Sequence, residues 1–288
     1  DRNMESPEQV KQLTSDLQAQ SNEKVPLFIG IDEEGGDVVR MAEKLTPPPS
    51  QKEIGATGDI EQAKTWAIKT AKSLKDMGIN VNFAPVADVG SNDKRSYSAD
   101  ANTVIDFVRA ATKGYQQENI IYSLKHFPGI GKGRVDSHVD SSSIDVAKEV
   151  LMTEDIIPFK TIIDENDPND YFILVSHLKY PALDEEYPAS LSSKIMTDLL
   201  RNELGYKGII ITDDMEMGAV ANHNDFRSIG VNAVKAGADI VLVCHEYEHQ
   251  QEVYLGLLDA VNSGEISQER IDESVKRIIK VKLLHLYQ

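Results

Sequence analysis

Two short runs carry ionisable side chains in settings that could do chemistry. The first is Lys125-His126-Phe127-Pro128-Gly129-Ile130-Gly131-Lys132-Gly133-Arg134-Val135-Asp136-Ser137-His138, which follows the apolar run Ile120-Ile121-Tyr122-Ser123-Leu124. A turn this rich in glycine places polar side chains rather than burying apolar ones. In an extended Asp136-Ser137-His138 segment, residues i and i+2 project from the same side. Asp136 then accepts from one ring nitrogen of His138 and leaves the other facing outward. An imidazole held that way gives or takes a proton; the bland alternative is an ordinary loop hydrogen bond. The second run is Gly208-Ile209-Ile210-Ile211-Thr212-Asp213-Asp214. Here a buried strand would aim Asp213 rigidly and turn Asp214 the other way, although either acid could instead cap the next helix. Asp213 and an Asp-supported His138 suit displacement at an acetal carbon, where one group attacks and the other protonates the leaving oxygen.

Other charged positions are read more simply. Lys is rarely buried unless paired, so Lys125-His126 at a strand tip reads as a clamp for substrate hydroxyls, with a structural salt bridge as the alternative. Arg40 and Arg95 have no local feature that sets them apart, and alone they are surface charges. Cys244-His245-Glu246 is a weak metal set, since one cysteine stands beside ligands that face different ways. His223, His249 and His285 are expected to be solvent-exposed.

The elements that must position these groups follow a repeated grammar of strand, polar tip and helix. Ser6-Pro7-Glu8-Gln9 predicts a helix start, with Ser6 as N-cap and the helix running to about Gln20. Val25–Ile31 is an apolar strand of the buried parallel type, ending in Asp32-Glu33-Glu34-Gly35-Gly36. Later strands are predicted at Ile79–Ala87, Ile120–Leu124, Tyr171–Ser176, Gly208–Thr212 and Asp239–Val243, with helices at about 59–77, 101–118, 153–164, 192–204 and 226–236. Two helices with no strand between them close the chain. Six parallel strands with polar tips favour an α/β barrel of the (β/α)8-like TIM type over a doubly wound sheet, which would need a phosphate-binding glycine turn where the acids of residues 32–34 stand. A closed barrel needs about eight strands. The first strand is therefore expected upstream of Asp1, leaving an imperfect seam in a single domain over residues 1–288.

Composition narrows the partners. The formal charge of −17 argues against nucleic acid and anionic membranes, which require positive fields, and favours a neutral or cationic substrate. No apolar run reaches the ~20 residues of a membrane span. The single cysteine, Cys244, excludes an internal disulfide and leaves the compartment open.

Taken together, Ile31-Asp32-Glu33-Glu34-Gly35-Gly36, Asn82-Phe83-Ala84-Pro85-Val86-Ala87-Asp88-Val89, Arg95-Ser96-Tyr97, Lys125-His126-Phe127-Pro128-Gly129, Asp136-Ser137-His138 and Ile211-Thr212-Asp213-Asp214-Met215 resemble the β-N-acetylglucosaminidases of glycoside hydrolase family 3, of the bacterial type acting on cell-wall fragments. The Asp-Ser-His triplet separates that branch from the family's β-glucosidases. The resemblance implies a retaining double displacement with Asp213 as nucleophile, His138 as acid and base, and Asp136 setting its basicity. It implies that Asp32, Arg40, Arg95, Lys125 and His126 bind the terminal N-acetylglucosamine, with His177 nearby, and that no metal or cofactor takes part. A phosphorylase built on the same residues and a catalytically silent sugar-binding barrel are the competing readings. The chain departs from the family pattern at Ile130, at Lys132-Gly133 and at Asp37. The helix from Gly264-Glu265-Ile266 onward resembles exported Gram-positive enzymes, so an extracellular or wall-associated place is expected.

Overall fold

Side-chain caps and glycines set the helix limits in the computed structural model, which describes residues 3–21, 25–40, 45–90, 94–133, 143–222 and 225–287. Helix α1 (Pro7–Gln20) starts where expected, with the Ser6 hydroxyl accepting from the Gln9 amide at 3.1 Å. Strand β1 (Gly30–Ile31) is much shorter than the apolar run that contains it. Just upstream, the Ile29 carbonyl still accepts from the Val81 amide, but several other backbone groups are taken by side chains instead of a neighbouring strand. Gln18 bonds both the amide and the carbonyl of Leu27, while the Asn80 side chain accepts from the Ile29 amide and donates to the Leu27 carbonyl.

Helix α2 (Gln51–Ala56) was not anticipated; it forms on a reciprocal capping box between Ser50 and Glu53. Then follow α3 (Ile60–Asp76), β2 (Val81–Asn82), α4 (Ala101–Gln117) and β3 (Ile121–Phe127), the last buried along its whole length. The helix expected near 153–164 is a compound one: α5 (Lys148–Val150), a π-turn over Leu151–Asp155 and α6 (Ile157–Glu165). Strand β4 (Tyr171–Val175) leads into an unanticipated hairpin of β5 (Lys179–Tyr180) and β6 (Asp184–Pro188). The helix expected near 192–204 is π-helical over Lys194–Glu203. It precedes β7 (Ile209–Asp214), α7 (Gly218–Ala221), α8 (Phe226–Ala236) and β8 (Ile240–Leu242), and α9 (Tyr247–Asn262) and α10 (Gln268–His285) close the sequence.

The parallel ladder runs in the order β1-β2-β3-β4-β7-β8. Chain order and ladder order coincide, so every crossover advances one place round the wall, as in a TIM-type barrel. Among the described residues no ladder joins β8 to β1, and the seam falls between them. Alternation along the strands then sorts side chains into two apolar groups. Ile121, Phe172, Leu174, Ile209 and Ile211 form an inner cluster, whereas Tyr122, Leu124, Ile173 and Ile210 pack with the helices outside. Helix α10 contributes Val281 and Ile278 to the inner cluster, so the last helix supplies apolar cover to the barrel interior. The two-residue period that sends Ile209 and Ile211 inward sends Asp213 inward as well, at the end where the strand opens.

Candidate active site

Every strand that carries a polar tip delivers it to the carboxyl end of the ladder. A cavity of about 190 Å³ opens there, with Asp32, Lys125, His126, Ser176 and Asp213 from the strand ends and Arg40 and Arg95 from loops in its lining. Between Leu124 and Phe127 the β3–β4 pairing shifts by one residue, Leu124 facing Ile173 and Phe127 facing Val175. An extra residue on one strand re-aims side chains, and consecutive Lys125 and His126 both line the cavity. The peptide between them is cis.

Lys125 is 2% exposed, and its ammonium lies 2.6 Å from Asp32 Oδ1 and 2.5 Å from Glu34 Oε1. Glu34 also takes a two-pronged bond from Arg95, Nε to Oε2 at 2.9 Å and Nη2 to Oε1 at 2.8 Å. Burial works to raise the Glu34 carboxyl, but the charges of Lys125 and Arg95 win and hold it at about 2. The same contest lowers Asp32, where Lys125 overcomes burial, and raises Lys125, where Asp32 and Glu34 overcome it. The turn after Glu34 needs glycine: Gly35 has φ +106, and a Cβ there would stand 2.3 Å from the Pro49 carbonyl oxygen. Arg40 reaches Asp32 Oδ2 at 3.2 Å, and its amide donates to Glu33 Oε2 at 2.9 Å.

His126 is fixed at both ring nitrogens. Arg95 Nη2 lies 2.9 Å from Nε2, and guanidinium can only donate, so Nε2 accepts. Nδ1 therefore carries the proton and donates to Asp88 Oδ2 at 2.8 Å. The other oxygen of Asp88 accepts from the His126 amide at 3.1 Å and from the Ile130 amide at 2.9 Å. A continuous chain thus runs Lys125–Glu34–Arg95–His126–Asp88 beneath the cavity wall.

Asp213 faces the cavity, with Oδ1 accepting from the Asp214 amide at 2.9 Å. Asp214 turns away, as alternation predicts, and accepts from the amides of Glu216 and Cys244. His177 lies behind this pair rather than in the cavity lining. Its Nε2–H donates to the Asp214 carbonyl at 2.8 Å and its Nδ1 accepts from the Ser190 hydroxyl, 2.7 Å away. Burial lowers its pKa below the ordinary histidine value.

The structure brings together Asp32, Arg40, Arg95, Lys125, His126 and Asp213. Asp136 and His138 lie outside the described residues. The reading of Arg95 as a surface charge is corrected by its bonds to Glu34 and His126, which no local pattern announces because the partners are 61 and 31 residues away. His249 and His285 are also more engaged than expected. His249 bonds Glu216 at 2.6 Å and stacks on Phe226, and His285 lies between the Asn119 side chain and the Asn169 carbonyl. Two participants were quoted only as parts of motifs, Glu34 and Asp88; the signal that could have found them is an acid just past a strand end.

Three cations (Lys125, Arg40, Arg95) face three acids (Asp32, Glu34, Asp213) in the cavity lining. Such a wall is electrically balanced and dense in fixed donors and acceptors. It suits a small neutral polyol with one carboxylate left to do chemistry, and its volume is below that of drug-sized pockets.

A parallel α/β barrel with an inward carboxylate and a cluster of paired lysine, arginine and carboxylate side chains at its carboxyl face is the class of molecule these features define. The chain belongs to glycosyl hydrolase family 3: the family's N-terminal domain matches residues 1–281. It is 35% identical to beta-hexosaminidase A of Pseudoalteromonas piscicida over 97% of this chain and 52% of that protein. It is 34% identical to an uncharacterized secreted glycosyl hydrolase of Arthroderma benhamiae, over 88% and 73%. The solved structure of a family 3 beta-N-acetylglucosaminidase from Paenibacillus sp. str. FPU-7 superposes with a TM-score of 0.95 at 38% identity, covering 99% of this chain and 55% of that one. The chain thus spans about half the length of the Pseudoalteromonas and Paenibacillus proteins.

Proposed function

We propose that the chain is a retaining, exo-acting β-N-acetylglucosaminidase, one barrel domain over residues 1–288 that releases terminal N-acetylglucosamine from β-linked glycans. The observation that carries this reading is Asp213 facing the Asp32–Lys125–His126 clamp across a small, charge-balanced cavity. In that arrangement Lys125, Asp32, Arg40 and Arg95 hold the sugar hydroxyls, and the sugar's anomeric carbon comes to rest against Asp213.

Asp213 attacks that carbon and forms a glycosyl ester while the bond to the leaving oxygen breaks. His138, supported by Asp136, gives its proton to that oxygen. The resulting neutral imidazole then takes a proton from water, whose oxygen attacks the anomeric carbon and expels the Asp213 carboxylate, so sugar and enzyme are both regenerated. Family resemblance supports the roles of His138 and Asp136. The relatives named beta-hexosaminidase and beta-N-acetylglucosaminidase support the substrate. Cell-wall fragments are the proposed natural source of the sugar, and the secreted fungal relative supports a place outside the cytoplasm.

The test is release of nitrophenol from 4-nitrophenyl β-N-acetylglucosaminide by the wild type and by Asp213→Asn. The variant is expected to lose turnover by at least a thousandfold while still binding N-acetylglucosamine. Run in phosphate buffer, the wild type is expected to yield free sugar; sugar 1-phosphate as the main product would replace hydrolysis with phosphorolysis. Wild-type turnover in the Asp213→Asn protein would remove that residue from the reaction.

A further inference from the structure

At the amino-terminal ends of β7 and β8, the face opposite the sugar cavity, lies a second cavity of about 360 Å³. Five cations line it, Arg201, Lys207, Lys235, Arg270 and Arg277, against a single carboxylate, Glu273. The whole chain carries 47 acidic and 30 basic residues, so an accumulation of this sign runs against the composition. Beneath the cavity sits Asp239, whose side chain is 0% exposed. It takes Arg201 on Oδ2, and on Oδ1 it takes Arg277 at 2.9 Å and lies 3.7 Å from Arg270.

Part of this network is structural. Arg201 donates to the carbonyls of Tyr206 and Gly208, and Arg270 to those of Val234 and Ala238, which ties the feet of β7 and β8 to the π-helix and α10. Carbonyl oxygens accept hydrogen bonds without cancelling a full charge. The remaining acids are few: Glu265 pairs with Lys235 at 2.9 Å, and Glu273 reaches Arg277 only at 3.9 Å. Among the described residues Lys207 has no carboxylate within ion-pair distance. Five cations against Asp239, Glu265 and Glu273 leave a local surplus of 5 − 3 = 2 positive charges. Burial and the neighbouring Arg277 both lower Arg201 and Arg270 from the ordinary arginine value, the mark of crowded cations.

We propose that this foot cavity binds a phosphate-type oxyanion, free or as a phosphomonoester. Fixed guanidinium forks at the base and exposed ammonium groups at the rim are the donor set that such a group takes. The site lies roughly 15–20 Å from Asp213, one strand length along β7. It stands independently of the glycosidase reading, so failure of the sugar assay would leave it intact.

The test is calorimetric titration of the full chain with inorganic phosphate and, separately, with glycerol 1-phosphate, at ionic strength balanced with chloride. Lys207 and Lys235 are exposed and can be changed without disturbing the core. Wild-type protein is expected to bind at least one probe saturably at one site. A Lys207→Gln/Lys235→Gln variant should bind it at least tenfold more weakly, and Glu273→Gln several-fold more tightly, because a competing carboxylate has gone. Both variants should keep wild-type release of nitrophenol. Tighter binding of the ester assigns the cavity to a phosphomonoester, and tighter binding of phosphate assigns it to the free ion. No saturable binding of either probe, or equal affinity in all three proteins, overturns the proposal.

Discussion

Asp88 and His126 are joined twice, ring nitrogen to Oδ2 at 2.8 Å and main-chain amide to Oδ1 at 3.1 Å. One carboxylate therefore sets both the tautomer of the ring and the position of the backbone that carries it. The same oxygen that holds the His126 amide also holds that of Ile130, one of the positions where the sequence departs from the pattern it resembles.

Removing that carboxylate should loosen sugar binding more than chemistry. A hydrogen bond to a charged group contributes ~1.5–3 kcal/mol, so Asp88→Ala is expected to lower kcat/KM by about 10–100-fold, mostly through KM. Steady-state kinetics on 4-nitrophenyl β-N-acetylglucosaminide provide the check. A fall confined to kcat would mean that Asp88 acts on the reacting groups instead of on the clamp.

Glu34 gives a prediction about stability and its pH dependence. Breaking a buried pair by removing one partner costs about 3–5 kcal/mol, because Lys125 and Arg95 are left with too little negative charge. Glu34→Gln is therefore expected to lower Tm by several degrees at pH 7. Its folded pKa of about 2 lies below the ordinary 4.5. Its stabilisation is accordingly complete above pH 4.5 and is lost as pH falls toward 2. Thermal melts across that window should converge at the acid end for wild type and variant; parallel curves would show that Glu34 is not the linked group.

How far the molecule was legible in its sequence follows from the range of the signals involved. Strand tips are local: an apolar run ending in an ionisable residue places Asp213, Asp32 and Lys125 at the carboxyl end of the ladder, and period-two alternation separates Asp213 from Asp214 with no tertiary information. The role of Arg95 was not legible, because its bonds to Glu34 and His126 exist only once β1, β2 and β3 lie side by side and a loop folds over them; Asp88 carried the local signal of an acid past a strand end, but not its bond to His126. The limits of β1 failed for a related reason, since Gln18 and Asn80 occupy backbone groups that a strand pattern assigns to a neighbour. The unanticipated hairpin β5–β6 spans too few residues for periodicity to speak.

The segment that follows β3 is anchored from below by Lys132, which lies against Asp155 in the π-turn and 2.9 Å from Glu154. The Asp155 side chain is fully buried, and burial pushes its carboxyl up to about 6 despite the lysine. Lys132→Ala should therefore cost little near pH 4, where Asp155 is protonated in the folded state. The cost should grow as pH rises past 6 and an uncompensated buried charge forms. Denaturant midpoints of the two proteins at pH 4.5 and pH 8 measure this, and a pH-independent difference would rule out Asp155 as its source.

His177 bridges β4 and β7 behind the candidate nucleophile, and its role should be mechanical. With Nε2–H committed to the Asp214 carbonyl and Nδ1 to the Ser190 hydroxyl, the ring has no free nitrogen for a reacting group. Truncation to alanine leaves that carbonyl unpaired and removes the packing that fixes the Asp213–Asp214 turn, so kcat is expected to fall about tenfold or more while KM changes little. Because burial lowers its pKa, native His177 resists protonation, and it withdraws stability as pH falls below the ordinary histidine value of about 6.5. His177→Ala should thus flatten the decline in Tm between pH 7 and pH 5 while leaving the shape of the kcat/KM pH profile unaltered. Loss of a titrating limb from that profile would instead make His177 a proton-transfer group and reassign the chemistry on that side of the cavity.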